Sequence, residues 1–550
     1  MVDPQSGQSE ACFSLLASLL SDDRTESQPR RRLPTLGTLP GFSARLGGGR
    51  FAHGLSTALR SLGQVIFLNN PVSGLLLLLG LLLQSPGTGL LAAVGIVAAT
   101  VTGRLIGADR AARRHGIHGF NGALVGAAVA AFAGLSTPSA QLAWGLVVVL
   151  AASLTTLLLE GPGRWLVGRF GLPPLTLPFC LATWLLLGLA LAFPASLPLA
   201  PVSPPLAAAA AGPLAPLTLG VLRGFGQVFL CTSVATALLV LAAVLAASPL
   251  AALLGLAGGV VSTLTALALG MEPEAAVLGL GSFNGVLSAI AIGGIFHAPA
   301  PTSALIALLA AAGSALLAPS LTALLGGVGL PPLTAPFVVA TLVMLLLARR
   351  ALPSLLPVAL HSLFTPEEHR SRYRVAHGLL ADFRLRLGRT LAGDRVLAPL
   401  PAMDEPLASE LAALFGRLDR DGDGRLSVAE LAAGLRQTPH GDRAAAARRL
   451  RSLAEVLQRM DADGDGQLDR QEFAELVLRL RRLLRGRQRL LTYLGPVDAD
   501  GDEQLDPAEF DRLLTSVGQR PLEPRERQHL FGPSGGSLSW HTLLDRLLLT

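Results

Sequence analysis

The sequence predicts an all-α protein in two unlike parts. A polytopic membrane region of two inverted five-helix repeats comes first, and a soluble helical domain follows. Three observations predict this. The 550-residue chain is 51% hydrophobic and only 15% charged, with a mean hydropathy of +0.53, which is membrane composition. Its long apolar runs stop near residue 350, where charge rises abruptly. A nonamer is written twice, as "GLPPLTLPF" at 171–179 and "GLPPLTAPF" at 329–337. A chain of this length is expected to hold more than one domain.

Between about 65 and 348 the first apolar group is "PVSGLLLLLGLLLQSP", "GLLAAVGIVAATVTG", "AQLAWGLVVVLAASLTTLLLE" and "LTLPFCLATWLLLGLALAF". The second is "VFLCTSVATALLVLAAVLAA", "LAALLGLAGGVVSTLTALALG", "TSALIALLAAAGSALLAPSLTALL" and "TAPFVVATLVMLLLA". Several reach or approach the roughly 20 residues that cross a bilayer. The shorter ones, broken by Gly and Pro, suit tilted helices or helices that stop part-way. The N-terminal "ACFSLLASLL" is too short to span and lacks a basic flank before it, so it does not read as a signal peptide. Residues 1–56 are expected to form a disordered cytoplasmic segment.

The net charge of +6 rests on 44 basic residues, all of them Arg. Aromatic residues make up only 5%, so no nucleic-acid partner is expected. Arg30, Arg31, Arg32, Arg45, Arg50 and Arg60 precede the first span. Arg104, Arg110, Arg113 and Arg114 follow the second, Arg164 and Arg169 the fourth, and Arg349 and Arg350 the last. With ten spans these clusters share one side, and only Arg223 falls on the other. By the positive-inside rule that side is the cytoplasm, and both termini face it across a cell (inner) membrane. Cys12, Cys180 and Cys231 show neither a CxxC nor a metal-ligand spacing. Two of them lie in apolar runs, where inert buried thiols are expected.

The nonamer is one of three paired signals. "GQVIF" at 63–67 is matched by "GQVFL" at 226–230, and "GFNGALVG" at 119–126 by "SFNGVLSA" at 282–289. The displacements are 227 − 64 = 163, 283 − 120 = 163 and 330 − 172 = 158. This is a duplicated unit, read as repeat A over 57–210 and repeat B over 211–360. An odd number of spans in each turns the second copy over in the membrane and places a site near the midplane. Each octad is expected to start a span with its paired prolines, which lose no intrahelical donor there. Thr176 and Thr334 then face one central passage; the alternative is that each back-bonds to its own helix.

These motifs, with "GQVIFLNNPVSG", resemble the urea transporter family, whose signature is an LPxxTxPF octad in each half. The resemblance covers about residues 57–350. It implies ten spans plus two short pore helices, a homotrimer, and one passive pore per protomer, shaped as a slot with aromatic faces and a ladder of oxygen acceptors. The residues suit such a solute. Urea is planar, neutral and rich in N–H donors, so Gln64, Gln227, Thr176 and Thr334 are candidate acceptors. Carbonyls at half-helix C-termini could add to them. Phe67, Phe120 and Phe283 are candidate slot walls, with plain core packing as the alternative. Asn121 and Asn284 are read as fixing pore-helix ends. Leu230 corresponds to Phe67 by the 163-residue displacement, and "CTSVAT" replaces "NNPVSG" in the second copy, so the two ends of the slot are expected to differ. No cluster of intramembrane ionisable residues is expected of the kind that marks ion coupling, which favours facilitated diffusion.

Residues 361–405 read as an amphipathic linker helix, with Thr365 as cap, Pro366 first, and Glu367 and Glu368 near the positive dipole end. Residues 406–550 read as an EF-hand domain. "DRDGDGRLSVAE" (419–430), "DADGDGQLDRQE" (461–472) and "DADGDEQLDPAE" (498–509) are twelve-residue loops with hard oxygens at the calcium-binding positions. The first offers Asp419, Asp421, Asp423, the Arg425 carbonyl, Ser427 and Glu430. The second offers Asp461, Asp463, Asp465, the Gln467 carbonyl, Asp469 and Glu472. The third offers Asp498, Asp500, Asp502, the Gln504 carbonyl, Asp506 and Glu509, but has Glu503 where the turn calls for Gly. A side chain held left-handed there costs on the order of 1 kcal/mol, so weaker Ca2+ binding is expected. Leu426, Leu468 and Leu505 are expected to pair loops. "LFGPSGGSLSWHTLL" has the helical frame of a fourth hand without carboxylates, a silent partner in the second of two lobes.

The expected function is passive transport of urea or related small neutral amides, with Ca2+ gating the passage, tethering a partner or stabilising the tail. The alternatives are a calcium-gated ion or ammonium pathway, and a calcium-responsive scaffold without transport. No nucleophile elbow, catalytic Ser/His/Asp set or phosphate loop is present to suggest an enzyme.

Overall fold

The computed structural model describes residues 35–39, 41–200, 212–352, 364–392, 405–427, 429–431, 461, 463–478, 504–516, 519–533 and 535–539. Among them the elements are helical apart from two strands of two residues each. One compact unit spans Arg32–Ser371, and a second takes in Arg372–Thr550.

In the first unit four helices are long and apolar enough to cross a bilayer: Pro86–Leu105, Pro138–Phe170, Pro249–Ala268 and Pro301–Gly326. Shorter apolar helices accompany them, among them Pro71–Gln84, Gly119–Phe132, Leu177–Ala192 and Val234–Ala247. Caps cut these short. Asn70 accepts the N–H groups of Val72 and Ser73 ahead of Pro71, and Ser85 ends that helix while its side chain accepts from Thr88 to start the next at Pro86. Trp144, Phe179, Phe225, Phe229 and Phe337 are buried at the centre, whereas Leu90, Leu150 and Leu253 stand mostly exposed. An apolar exterior of this kind suits lipid, where leucine gains nothing by hiding.

The elements recur. Pro71–Gln84, Pro86–Leu105 and Arg110–Arg114 return as Val234–Ala247, Pro249–Ala268 and Pro273–Val277. Each is displaced by 163 residues (234 − 71, 249 − 86, 273 − 110). Bonds between copies are reciprocal. Ser73 Oγ donates to the Ala243 carbonyl at 2.7 Å, and Thr236 Oγ1 donates to the Gly80 carbonyl at 2.9 Å. Residue 236 is the counterpart of 73, and 243 of 80, so these two helices run antiparallel and each gives the other the same bond. Close packing recurs as well. A Cβ on Gly95 would stand 2.0 Å from the Gly122 carbonyl oxygen, and one on Gly258 would stand 2.6 Å from that of Gly285. Only glycine lets these helix backbones approach so closely.

Two expectations need correction. The helices after the octads begin at Leu177 and Ala335, with Thr176 and Thr334 at the cap and Pro178 and Pro336 in the first turn. The paired prolines 173–174 and 331–332 therefore stand ahead of the helix, because Leu175 and Leu333 take left-handed backbone (φ 51° each) between prolines and helix. Nor is the end of the N-terminal segment without structure. Leu36 N–H donates to the Ala246 carbonyl at 2.9 Å, and helix Arg50–Gln64 starts ahead of residue 57. Arg60, a buried guanidinium, helps to hold that end by donating to the carbonyls of Thr38 (2.9 Å) and Leu39 (2.8 Å). Residues 1–34 lie outside the described residues.

The linker helix runs Pro366–Ala392. It opens as expected on a reciprocal cap, Thr365 N–H to Glu368 Oε2 at 2.9 Å and Glu368 N–H to Thr365 Oγ1 at 3.4 Å. In the second unit, Ala376, Leu380, Phe383 and Leu387 form a buried stripe at helical spacing. Phe383 meets the ring of Phe510, in helix Pro507–Ser516, edge-on at 6.4 Å, and Arg384 reaches Glu526 at 3.0 Å. A separate core forms around Leu414, Phe415, Leu426, Leu468 and Phe473.

Candidate functional site

Helix Arg50–Gln64 ends in a left-handed residue, Phe67 (φ 62°), and Leu68 N–H closes back on the Gly63 carbonyl at 2.8 Å. Helix Val221–Gln227 ends the same way at Leu230 (φ 57°), with Cys231 N–H on the Gly226 carbonyl at 3.1 Å. Each turn leaves a glutamine just before it. Gln64 Nε2 donates to the His115 carbonyl at 3.0 Å, and Gln227 Nε2 to the Leu278 carbonyl at 2.8 Å. Those two carbonyls are themselves 163-residue counterparts (278 − 115). With the amide nitrogen committed, the amide oxygen of each receives no hydrogen bond among the described residues. Thr176 and Thr334, both buried, share a hydrogen bond of 2.7 Å across the two copies. Neither back-bonds to its own helix.

Gln64, Phe67, Phe120 and Thr176 line one cavity of about 320 Å³. Thr334 adjoins it through Thr176, whereas Gln227 and Phe283 do not line it. Phe283 is half-buried at the start of helix Phe283–Ile290. Sequence reasoning missed Phe296, Phe337 and Phe364, which complete the aromatic lining. Phe67 meets Phe296 edge-on at 6.0 Å and Phe337 at 6.1 Å. Phe337 closes the second octad, so its motif was a usable signal; Phe296 and Phe364 carry none.

Ionisable groups also gather at this cavity: Asp109, His115, Glu160 and Arg164. His118 Nε2 lies 2.8 Å from Glu160 Oε1, and Arg164 lies 3.1 Å from Glu160 Oε2. Only the fold joins His118 to Glu160, 42 residues apart, whereas Arg164 lies one helical turn from Glu160. Ala112 N–H, donating at 2.7 Å, holds the Asp109 carboxyl below the usual carboxylate range. Asn284 Oδ1 accepts from Phe337 N–H at 3.3 Å, so it ties down the other octad's helix. Asn121 is buried with no side-chain partner among the described residues.

In the second unit, carboxylate oxygens of Asp419, Asp421 and Asp423 lie within 4.8 Å of one another, as do those of Asp461, Asp463 and Glu472. Gly422, Gly424, Gly464 and Gly466 supply the left-handed turns that converge them. Leu426 and Leu468 exchange backbone bonds of 2.8 and 2.9 Å, pairing the loops and placing the Arg425 and Gln467 carbonyls beside them. Ser427 and Asp469 meet Glu430 and Glu472 at 2.8–2.9 Å. Partial burial pushes the Glu430 carboxyl up, but the N–H groups of Ser427 and Arg420 outweigh it, so it sits below the usual range. Asp465 pairs with the Arg425 guanidinium. This set of hard oxygens fits calcium. In the third loop, Gln504–Leu505 pairs with Leu538–Ser539 of the fourth hand, and Asp506 Oδ1 accepts from Glu509 N–H at 2.6 Å. Asp498, Asp500, Asp502 and Glu503 lie outside the described residues.

The sequence matches the urea transporter family over residues 55–349 and the EF-hand domain pair over residues 408–478. It is similar to urea transporter 1 of Ovis aries, at 33% identity over 367 residues that cover 63% of this chain and 92% of the relative. It is also similar to urea transporter 1 of Rattus norvegicus, at 34% identity over 319 residues, covering 57% and 82%.

Proposed function

The chain belongs to the urea transporter family, and from that premise we propose that it is a passive, channel-like pathway for urea or related small neutral amides. The observation that carries the reading is the paired acceptor set. Two counterpart glutamines are anchored through their nitrogens, and two counterpart threonines meet between the copies. Urea enters an aromatic cavity as a flat solute, exchanging water for ring faces and donating its N–H groups to Gln64 and then to the threonine hydroxyls. Past them, Gln227 and Phe283 form the equivalent station of the second copy. Past the charged groups of the cavity, hydrated ions lose their water against the rings and the threonines, whose neutral oxygens replace it poorly.

The architecture belongs to the same proposal: two inverted repeats, ten spans plus two short pore helices, and a homotrimer with one pore per protomer. The reciprocal antiparallel bonds of Ser73 and Thr236 support the inversion, and the family supports the trimer. The arginine distribution supports cytoplasmic termini. The EF-hand tail would hold calcium through Asp419, Asp421, Asp423, Ser427 and Glu430, and through Asp461, Asp463, Asp465, Asp469 and Glu472, with a weaker third site. Bound calcium supplies the charge that gathers those carboxylates, and through the linker helix it regulates flux.

Stopped-flow light scattering on proteoliposomes under a urea gradient tests the pathway. Rapid flux slowed by Thr334→Val is expected. Current in place of neutral flux, or no flux at all, would overturn the reading.

A further inference from the structure

The stretch "FTPEE" at 364–368 reads in sequence as no more than a helix start. In the structure each of these residues is committed. Phe364 lines the cavity and meets the His369 ring edge-on at 5.9 Å. Pro366 sits on Gly294, where a Cβ would come within 2.5 Å of the proline ring. Gly294 directly precedes Ile295 and Phe296 of the cavity wall. The Glu367 carboxylate accepts Ser248 Oγ at 2.6 Å and Leu250 N–H at 2.8 Å. That places it at the N-terminus of helix Pro249–Ala268, where unpaired N–H groups and the helix dipole favour an anion. Glu368 accepts both the N–H (3.3 Å) and the Oγ1 (3.2 Å) of Thr38. Thr365 and His369 are buried.

A plain tether would run over the surface, solvated and variable. This one begins with a buried turn held by two carboxylates and seats an aromatic ring in the wall of the cavity. We propose that residues 364–369 form a latch that sets Phe364 as a tail-borne part of the cavity mouth, so that seating of the linker helix limits which amides enter. The inference rests on the transport reading and deepens it. Phe364 acts by width, whereas Glu367, Glu368 and Gly294 position it.

The test uses the full chain in proteoliposomes, comparing flux of urea with that of the bulkier N-methylurea. Phe364→Ala should raise the N-methylurea-to-urea ratio severalfold. Gly294→Ala, which lifts Pro366 while keeping the ring, and Glu367→Gln, which weakens the hold on Ser248 and Leu250, should shift the ratio the same way. An unchanged ratio in Phe364→Ala with urea flux intact would overturn the inference alone. A shift in Phe364→Ala with none in the two positioning variants would overturn the latch. Absence of urea flux in the unaltered protein would overturn the transport reading and this inference with it.

Discussion

Thr176 and Thr334 show how one residue used twice joins the two copies. Each stands at a helix cap yet makes no capping bond of its own, because its hydroxyl is taken by its counterpart at 2.7 Å. Thr334→Val leaves the Thr176 hydroxyl buried without that partner, at about 1–3 kcal/mol, and Thr176→Val leaves Thr334 only the weaker contact of Cys180 Sγ at 3.3 Å, whereas changing both removes the shared donor and acceptor together. The double variant should therefore lose less stability than the sum of the singles, a coupling that thermal unfolding in detergent would measure. Additive losses would mean that the hydroxyls do not depend on each other. The threonines were legible because the octad is duplicated. Phe364 and Glu160 were not, since each joins the cavity only through contacts distant in sequence. Phe67 and Leu230 were legible as residues but not as conformations. Both hold left-handed backbone where Gly is usual, at about 1–2 kcal/mol each, and the same strain recurs at both counterpart positions.

Helices pack here by subtraction of side chains. Gly122 faces Gly95 so closely that a Cβ on Gly122 would stand 2.3 Å from the Gly95 carbonyl oxygen, while a Cβ on Gly145 would meet nothing within 4 Å. Gly122→Ala should destabilise by about 1–3 kcal/mol as the helices are forced apart. Gly145→Ala should be neutral or slightly stabilising, since alanine is the better helix former. Thermal unfolding of both variants in detergent checks this, and equal midpoints would remove the argument from close approach. At this scale the sequence displayed the apolar runs, their Pro and Ser punctuation and the 163-residue repeat. It did not display the π-helical turns Leu159–Gly163, Pro216–Gly220 and Ala291–Ile295. Hydrophobic periodicity averages over a whole helix, so one widened turn leaves almost no trace in it. The displaced start of the octad helices was hidden for a related reason. Paired prolines fit a first helical turn, and only the left-handed leucine after them rules that out.

For the whole molecule, the proposed calcium tail is expected to be a graded set rather than three equal sites. The first two loops share one lobe, joined at Leu426 and Leu468, with glycine at the sharp turn (Gly424 φ 79°, Gly466 φ 83°). The third shares its sheet with a hand that lacks carboxylates, Leu505 against Leu538, and carries Glu503 at the corresponding position. Equilibrium dialysis of the full-length protein with radiolabelled calcium should therefore show two tight sites and one weaker. Glu472→Gln should remove one tight site by taking away the bidentate ligand. Glu503→Gly should leave the tight pair alone and tighten the third site, since relief of on the order of 1 kcal/mol is about fivefold in affinity. Three sites of equal affinity in the unaltered protein would mean that turn strain does not set the order. A third site unmoved by Glu503→Gly would place its weakness in the silent partner loop instead.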